Sequence, residues 1–128
     1  MKTTMLGPIK VTTTGDPGSA TGSAIAGIPG GFVRLIALAV DYNALCPGST
    51  DVVVTCTLPL PKTLLTLANR NADFPLSQVT ELERNLNGEQ QDASCTQPQL
   101  IGGILIVNVA ECDPLTDAVI VTAVVQVA

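Results

Sequence analysis

The sequence predicts an all-β domain, and three observations predict it. Val, Ile and Thr supply 37 of the 128 residues, and side chains branched at Cβ are stiff in a way that favours strands over helices. The apolar runs are short. Glycine and proline interrupt them at Gly15-Asp16-Pro17-Gly18, Ile28-Pro29-Gly30-Gly31, Cys46-Pro47-Gly48, Asn87-Gly88 and Asp113-Pro114, as in domains whose strands are joined by tight turns. In chain order the runs give eight short strands, at residues 9–14, 19–28, 32–42, 52–58, 63–68, 79–85, 100–110 and 118–127. The architecture expected is a single β-sandwich with jelly-roll or Greek-key connections. The domain is read as residues 9–128, preceded by an extended N-terminal arm at residues 1–14. A chain of this size can bury roughly two-thirds of the surface its unfolded form exposes, so one core is possible.

The strand patterns indicate which segments lie inside. In residues 32–42, Phe32, Arg34, Ile36, Leu38, Val40 and Tyr42 share one face, and Val33, Leu35, Ala37, Ala39 and Asp41 share the other. Both faces are mainly apolar, whereas a strand with one wet face alternates apolar and polar residues. This strand is therefore expected to be covered on both sides, the second cover being another subunit. Residues 100–110, where Asn108 is the only polar side chain, read the same way. The last run differs. Thr122 and Gln126 share one face while Val119, Val121, Ala123, Val125 and Val127 share the other, the mark of a half-exposed strand.

An internal echo runs through the chain. Gly30-Gly31 opens an apolar run that ends at Cys46, followed by Pro47, Thr50-Asp51 and Val52-Val53-Val54-Thr55. Gly102-Gly103 opens a second, ending at Cys112, followed by Pro114, Thr116-Asp117 and Val119-Ile120-Val121-Thr122. Each half reads as a hairpin whose loop is fixed by proline and whose aspartate bonds backbone at the returning strand. Both turns are expected at the same end of the domain, with Cys46 and Cys112 in matched positions. The polar stretch 69–98 breaks the pattern. There an exposed strand around residues 79–82 and a loop through Asn87-Gly88 are preferred to a helix, because Pro75 and the Asn-Gly pair bracket too little sequence for a stable one.

Composition weighs against most chemistry. With no His, the chain lacks the commonest general base and metal ligand. Lys2, Lys10 and Lys62 stand in no nucleophile motif, and Gly15-Asp16-Pro17-Gly18 lacks the spacing of a phosphate loop. The acidic pairs Glu81 with Glu83 and Glu111 with Asp113 read as solvated loops. Glu111, Asp113 and Asp117 together offer oxygens near one turn without the ordered spacing of a calcium loop. Catalysis, cofactor and metal are all read as none. A net charge of −5 with six Lys and Arg leaves no footprint for nucleic acid or an anionic membrane surface. The opening MKTTMLGPIKV has no apolar run of secretory length, and no stretch is long enough to span a bilayer. The chain is therefore expected to be made in the cytoplasm.

Cys46, Cys56, Cys95 and Cys112 have no zinc-knuckle spacing. Four cysteines allow three pairings, and the sequence does not choose among them. Buried thiols acting as small hydrophobes are the first reading. If a bridge forms, the echo favours Cys46 with Cys112.

Several segments together resemble small proteins encoded near the capsid genes of tailed bacteriophages. They are Val11-Thr12-Thr13-Thr14-Gly15 with Gly18-Ser19-Ala20-Thr21-Gly22, Val40-Asp41-Tyr42, Thr50-Asp51-Val52-Val53-Val54, Thr63-Leu64-Leu65-Thr66-Leu67, and the closing Pro114-Leu115-Thr116-Asp117-Ala118-Val119-Ile120-Val121-Thr122. The likeness covers about residues 9–127, except for the polar segment 80–98 and the four cysteines. It implies a capsid decoration, or cement, protein: a β-sandwich on the virion surface, a homotrimer, with the major capsid protein as partner. On that reading Ile9, Val11 and Thr13 belong to an arm that pairs with a capsid strand. The alternative is a carbohydrate-binding β-sandwich of a phage tail, against which the near absence of aromatic rings counts.

Overall fold

The computed structural model describes residues 2–78, 80–82 and 96–127, with side chains described outside 76–99. Every regular element among them is a β-strand: β1 (Lys2–Val11), β2 (Ala20–Gly27), β3 (Val33–Tyr42), β4 (Asp51–Leu58), β5 (Lys62–Leu67), β6 (Phe74–Gln78), β7 (Thr80–Leu82), β8 (Thr96–Cys112) and β9 (Val119–Val127). The all-β reading holds, with nine strands in place of eight. The loop expected at Asn87-Gly88 lies outside the described residues.

All pairings are antiparallel and form one hydrogen-bonded sheet. Its first half runs β1-β9-β3, and the free side of β3 is shared by β6 and the start of β8. Its second half runs β2-β8-β4-β5. Strand β8 belongs to both halves: it pairs with β3 at Gln99–Ile101, then lies between β2 and β4 from Ile104 onward. The change of direction falls at Gly102-Gly103. Gly103 has φ of +74°, and a Cβ there would overlap the Thr57 hydroxyl and crowd the Leu58 side chain. That hydroxyl accepts the Ile104 N–H at 3.0 Å, and the Gly103 carbonyl accepts the Ile28 N–H at 2.9 Å. A left-handed residue with backbone pressed on both sides must be glycine.

One core joins the halves. Val119, Val121, Ala123 and Val125 of β9 and Val52, Val54 and Cys56 of β4 alternate with half-exposed residues and belong to the same buried cluster. The largest fully buried side chains are all Leu, Ile or Val, so β-branched composition fills the core as well as shaping the strands. The arrangement is consistent with the sandwich-like class.

Two expectations are corrected here. Within the single chain, strand β3 does not have two apolar faces. A register shift between Leu35 and Ala37 leaves Ile36 unpaired, and the buried set changes from Val33, Leu35 and Ala37 to Leu38, Val40 and Tyr42. A bulge flips side-chain parity, so a single inward face reads in sequence as two. In β8, Ile101, Leu105, Val107 and Val109 are buried while Leu100, Ile104 and Asn108 are exposed. Nor does the N-terminal segment form an arm. Residues Lys2–Val11 pair with β9 from Val127 back to Val119.

The echoed halves are not hairpins. Strands β3 and β9 lie in the first half-sheet and β4 and β8 in the second, so both connections are arches that cross between halves. They do leave from the same end. The echo extends to pairing: displacing Tyr42↔Val119 by the interval between the two cysteines gives Asn108↔Val53, also a pair. Facing does not follow, since Tyr42 and Val119 are buried and Asn108 is exposed. Glu111, left-handed at φ of 51°, sits where β8 gains a residue against β2 and absorbs the difference.

Candidate functional site at two unlike poles

The registers run every long strand between two ends. At the arch pole lie loops 12–19, 43–50, 68–73 and 113–118. At the hairpin pole lie the connection 28–32, the β4–β5 turn at 59–61 and the glycine corner of β8.

The arch pole is laced together by short polar side chains. The Thr13 hydroxyl donates to the Asp113 carbonyl at 2.6 Å and accepts the Leu115 N–H at 3.0 Å, and the Thr13 N–H donates to the Leu115 carbonyl. Asp113 Oδ1 accepts the Gly18 N–H at 2.9 Å, and Thr12 Oγ1 accepts the Asp117 N–H at 3.2 Å. The Asn43 N–H donates to the Ala118 carbonyl, and Ser49 Oγ to the Glu111 carbonyl. These bonds satisfy loop backbone that crossing arches cannot pair as a hairpin would. Beneath them the Cys46 thiol donates to the Ala118 carbonyl at 3.2 Å, and Cys112 Sγ lies 4.0 Å from Cys46 Sγ. Burial first, then the neighbouring Cys112, pushes the Cys46 thiol up to about 11. It is protonated at neutral pH and a poor nucleophile. Burial also raises Tyr42 to about 12, opposed by Arg70. The Tyr42 hydroxyl is buried without a hydrogen-bond partner among the described residues.

Charge is sorted between the poles. Among the described side chains, Asp16, Asp41, Asp51, Asp73, Glu111, Asp113 and Asp117 all sit at the arch pole, accompanied by Lys10 and Arg70. Lys2, Arg34 and Lys62 sit toward the hairpin pole, with no described carboxylate beside them.

The hairpin pole is apolar as well as cationic. Phe32, Leu58, Leu60, Leu100 and Ile104 are all exposed there, Leu60 at 73%. Phe32 and Leu58 lie against the corner of β8, and Leu100 and Ile104 flank that corner along the strand. A Cβ on Gly102 would meet the Phe32 ring at 2.9 Å, and Leu58 pairs with Gly102. Arg34 pairs with Leu100, and Lys62 pairs with Cys56, whose thiol is raised by burial and lowered in part by that lysine. The hairpin pole thus carries exposed apolar side chains together with cations, a composition suited to protein docking.

Of the residues singled out from sequence, Ile9, Val11 and Thr13 are at most 4% exposed and lie in the chain's own fold. Their side chains fill the chain's own core, and the segment is a strand paired with β9 rather than a free arm. Cys46 and Cys112 are brought together as free thiols; Cys56 is free and elsewhere, and Cys95 lies outside the described residues. Glu111, Asp113 and Asp117 share the arch pole, but no group of three or more metal-ligating side chains could hold an ion among the described residues. No described helix is long and apolar enough to cross a membrane. The apolar pole went unseen in the sequence, where its residues look like strand ends scattered over the chain.

Compared with known proteins, the chain matches no family model, no curated protein and no solved structure.

Proposed function

We propose that this chain is a non-enzymatic structural protein that docks through its hairpin pole onto a larger protein lattice. The single observation that carries the reading is the segregation just described. Exposed Phe32, Leu58, Leu60, Leu100 and Ile104, with Arg34 and Lys62 at the border, form one pole of a chain whose other described charge is mostly negative. Such a patch fits a partner surface with an apolar centre and carboxylates around it. An anionic bilayer fits less well: three cations at roughly 1 kcal/mol each give weak attraction, and the acidic remainder of the chain opposes it. The resemblance in sequence supplies the kind of lattice. We read the chain as a decoration protein on the outer surface of a tailed-phage capsid, with the major capsid protein as partner and the virion as its place. The homotrimer rests on that resemblance.

The test is cosedimentation of the purified chain with expanded heads assembled from a tailed-phage major capsid protein. Saturable binding at a fixed ratio to capsid subunits, weakened by salt, supports the reading. Failure to bind heads, or equal binding to anionic vesicles, overturns it.

A further inference from the structure

The two crossing arches bring one pair of reactive side chains together, and nothing about docking at the other pole requires it. Cys46 lies in the arch between β3 and β4; Cys112 ends β8, 66 positions later. Both are buried, and their sulfurs are 4.0 Å apart. A disulfide requires about 2.0 Å. The difference is within reach of rotation about two Cα–Cβ bonds with a small shift of the arch, since Cys46 belongs to a loop whose neighbour Leu45 is 71% exposed. No other described cysteine competes. Cys56 stands five residues beyond Asp51 along β4, roughly 17 Å of extended chain from the arch pole.

We propose that Cys46 and Cys112 are an oxidisable pair, closed by a low-molecular-weight disulfide of the glutathione class into a bridge that bolts the two arches together. One thiol loses its proton and attacks a sulfur of the small disulfide, forming a mixed disulfide and releasing one small thiolate. The second thiol loses its proton and attacks the protein sulfur of that adduct, releasing the other thiolate, and the two thiolates take up the two protons. The pair is oxidised by two electrons and the small disulfide is reduced by two. The local chemistry makes this slow. The Cys46 proton is held by burial and by the Ala118 carbonyl, and only the thiolate attacks. The pair thus stays reduced through synthesis in a reducing compartment and closes on long exposure to an oxidising one. The bridge sits at the pole opposite the docking patch, so its closure leaves that patch unaltered.

The experiment uses the reduced full-length chain, incubated with oxidised glutathione at neutral pH and at pH 9, followed by non-reducing peptide mapping. The expected product is a peptide pair joining Cys46 to Cys112, formed faster at pH 9 by up to tenfold per pH unit, with Cys56 still open to alkylation after unfolding. Oxidation also raises the melting temperature of the wild-type chain and of neither Cys46→Ser nor Cys112→Ser. A stable glutathione adduct without a bridge, a bridge to Cys56 or Cys95, or no bridge after prolonged incubation at pH 9 overturns the proposal. The wild-type comparison decides even if a serine variant fails to fold.

Discussion

The arch pole and the hairpin pole are made from the same strands, yet they solve opposite problems. At the arch pole, four connections must cross or turn without a ladder, and their backbone groups are closed off by Thr12, Thr13, Asn43, Ser49 and Asp113. At the hairpin pole the backbone turns tightly at Gly103 and in the β4–β5 turn, while large side chains are left facing outward. The first pole spends its polar residues on itself; the second leaves its apolar ones unused by the fold. Stability and docking therefore ought to be separable by mutation, and the following outcomes would sharpen or break that division.

The largest effect is expected at the glycine corner, where the hairpin pole depends on backbone rather than on its exposed side chains. Gly103→Ala puts a Cβ into the left-handed region at about 1–2 kcal/mol, and overlap with the Thr57 hydroxyl adds roughly 1–3 kcal/mol. Urea unfolding should show a loss of about 2–5 kcal/mol, and a variant as stable as the wild type would mean that the corner is not the hinge of β8.

At the arch pole, Thr13→Val keeps the shape and removes the hydroxyl that serves both Asp113 and Leu115. Leaving those partly buried groups unpaired costs up to about 1–3 kcal/mol. Thr13→Ser should restore most of it. Equal stability of the serine and valine variants would show that packing, and not the clasp, matters at this position.

High pH tests the same pole more gently. Cys46 and Tyr42 both have folded-state values above their ordinary ones, chiefly through burial. Their contribution is complete below the unfolded values and is lost as pH rises through the folded ones, from about 9 to 11 for Cys46 and 10 to 12 for Tyr42. Stability measured across that range should fall, and less steeply in Cys46→Ser. At neutral pH, Tyr42→Phe should be neutral or stabilising by up to about 1 kcal/mol, because it removes a buried hydroxyl without a described partner. Marked destabilisation would reveal a partner for that hydroxyl.

Strand β9 was legible as half-exposed because the inward positions Val119, Val121, Ala123 and Val125 keep their period of two in the fold. Strand β3 misled because one inserted residue, Ile36, changes its parity. The first residues of β1 were missed because Gly7-Pro8 reads as a break; the chain passes that point with a register shift between Leu6 and Ile9 and continues the same pairing with β9. The meeting of Cys46 and Cys112 could be read because an echo in order carries over to place. Whether each echoed pair returns in its own half-sheet or crosses to the other could not, since a proline loop serves both. The apolar pole was hidden for a related reason: Phe32 and Leu58, far apart in sequence, both come to lie against the bend in β8.

The smallest effect on stability should accompany the largest effect on docking. Leu60 stands at the tip of the β4–β5 turn, 73% exposed between Pro59 and Pro61, and the fold draws little from it. Leu60→Ser should shift stability by no more than about 0.5 kcal/mol, the usual range for exposed positions. Truncation of a central apolar contact in an interface typically costs about 2 kcal/mol or more, roughly a thirtyfold weakening of binding. Lys62→Glu, at the border of the same patch, should act mainly through association rate and salt dependence. Heads bound by wild type and Leu60→Ser with equal affinity would place the contact elsewhere on the domain while leaving a decoration role standing. A loss of binding matched by a loss of folding would break the division between the poles.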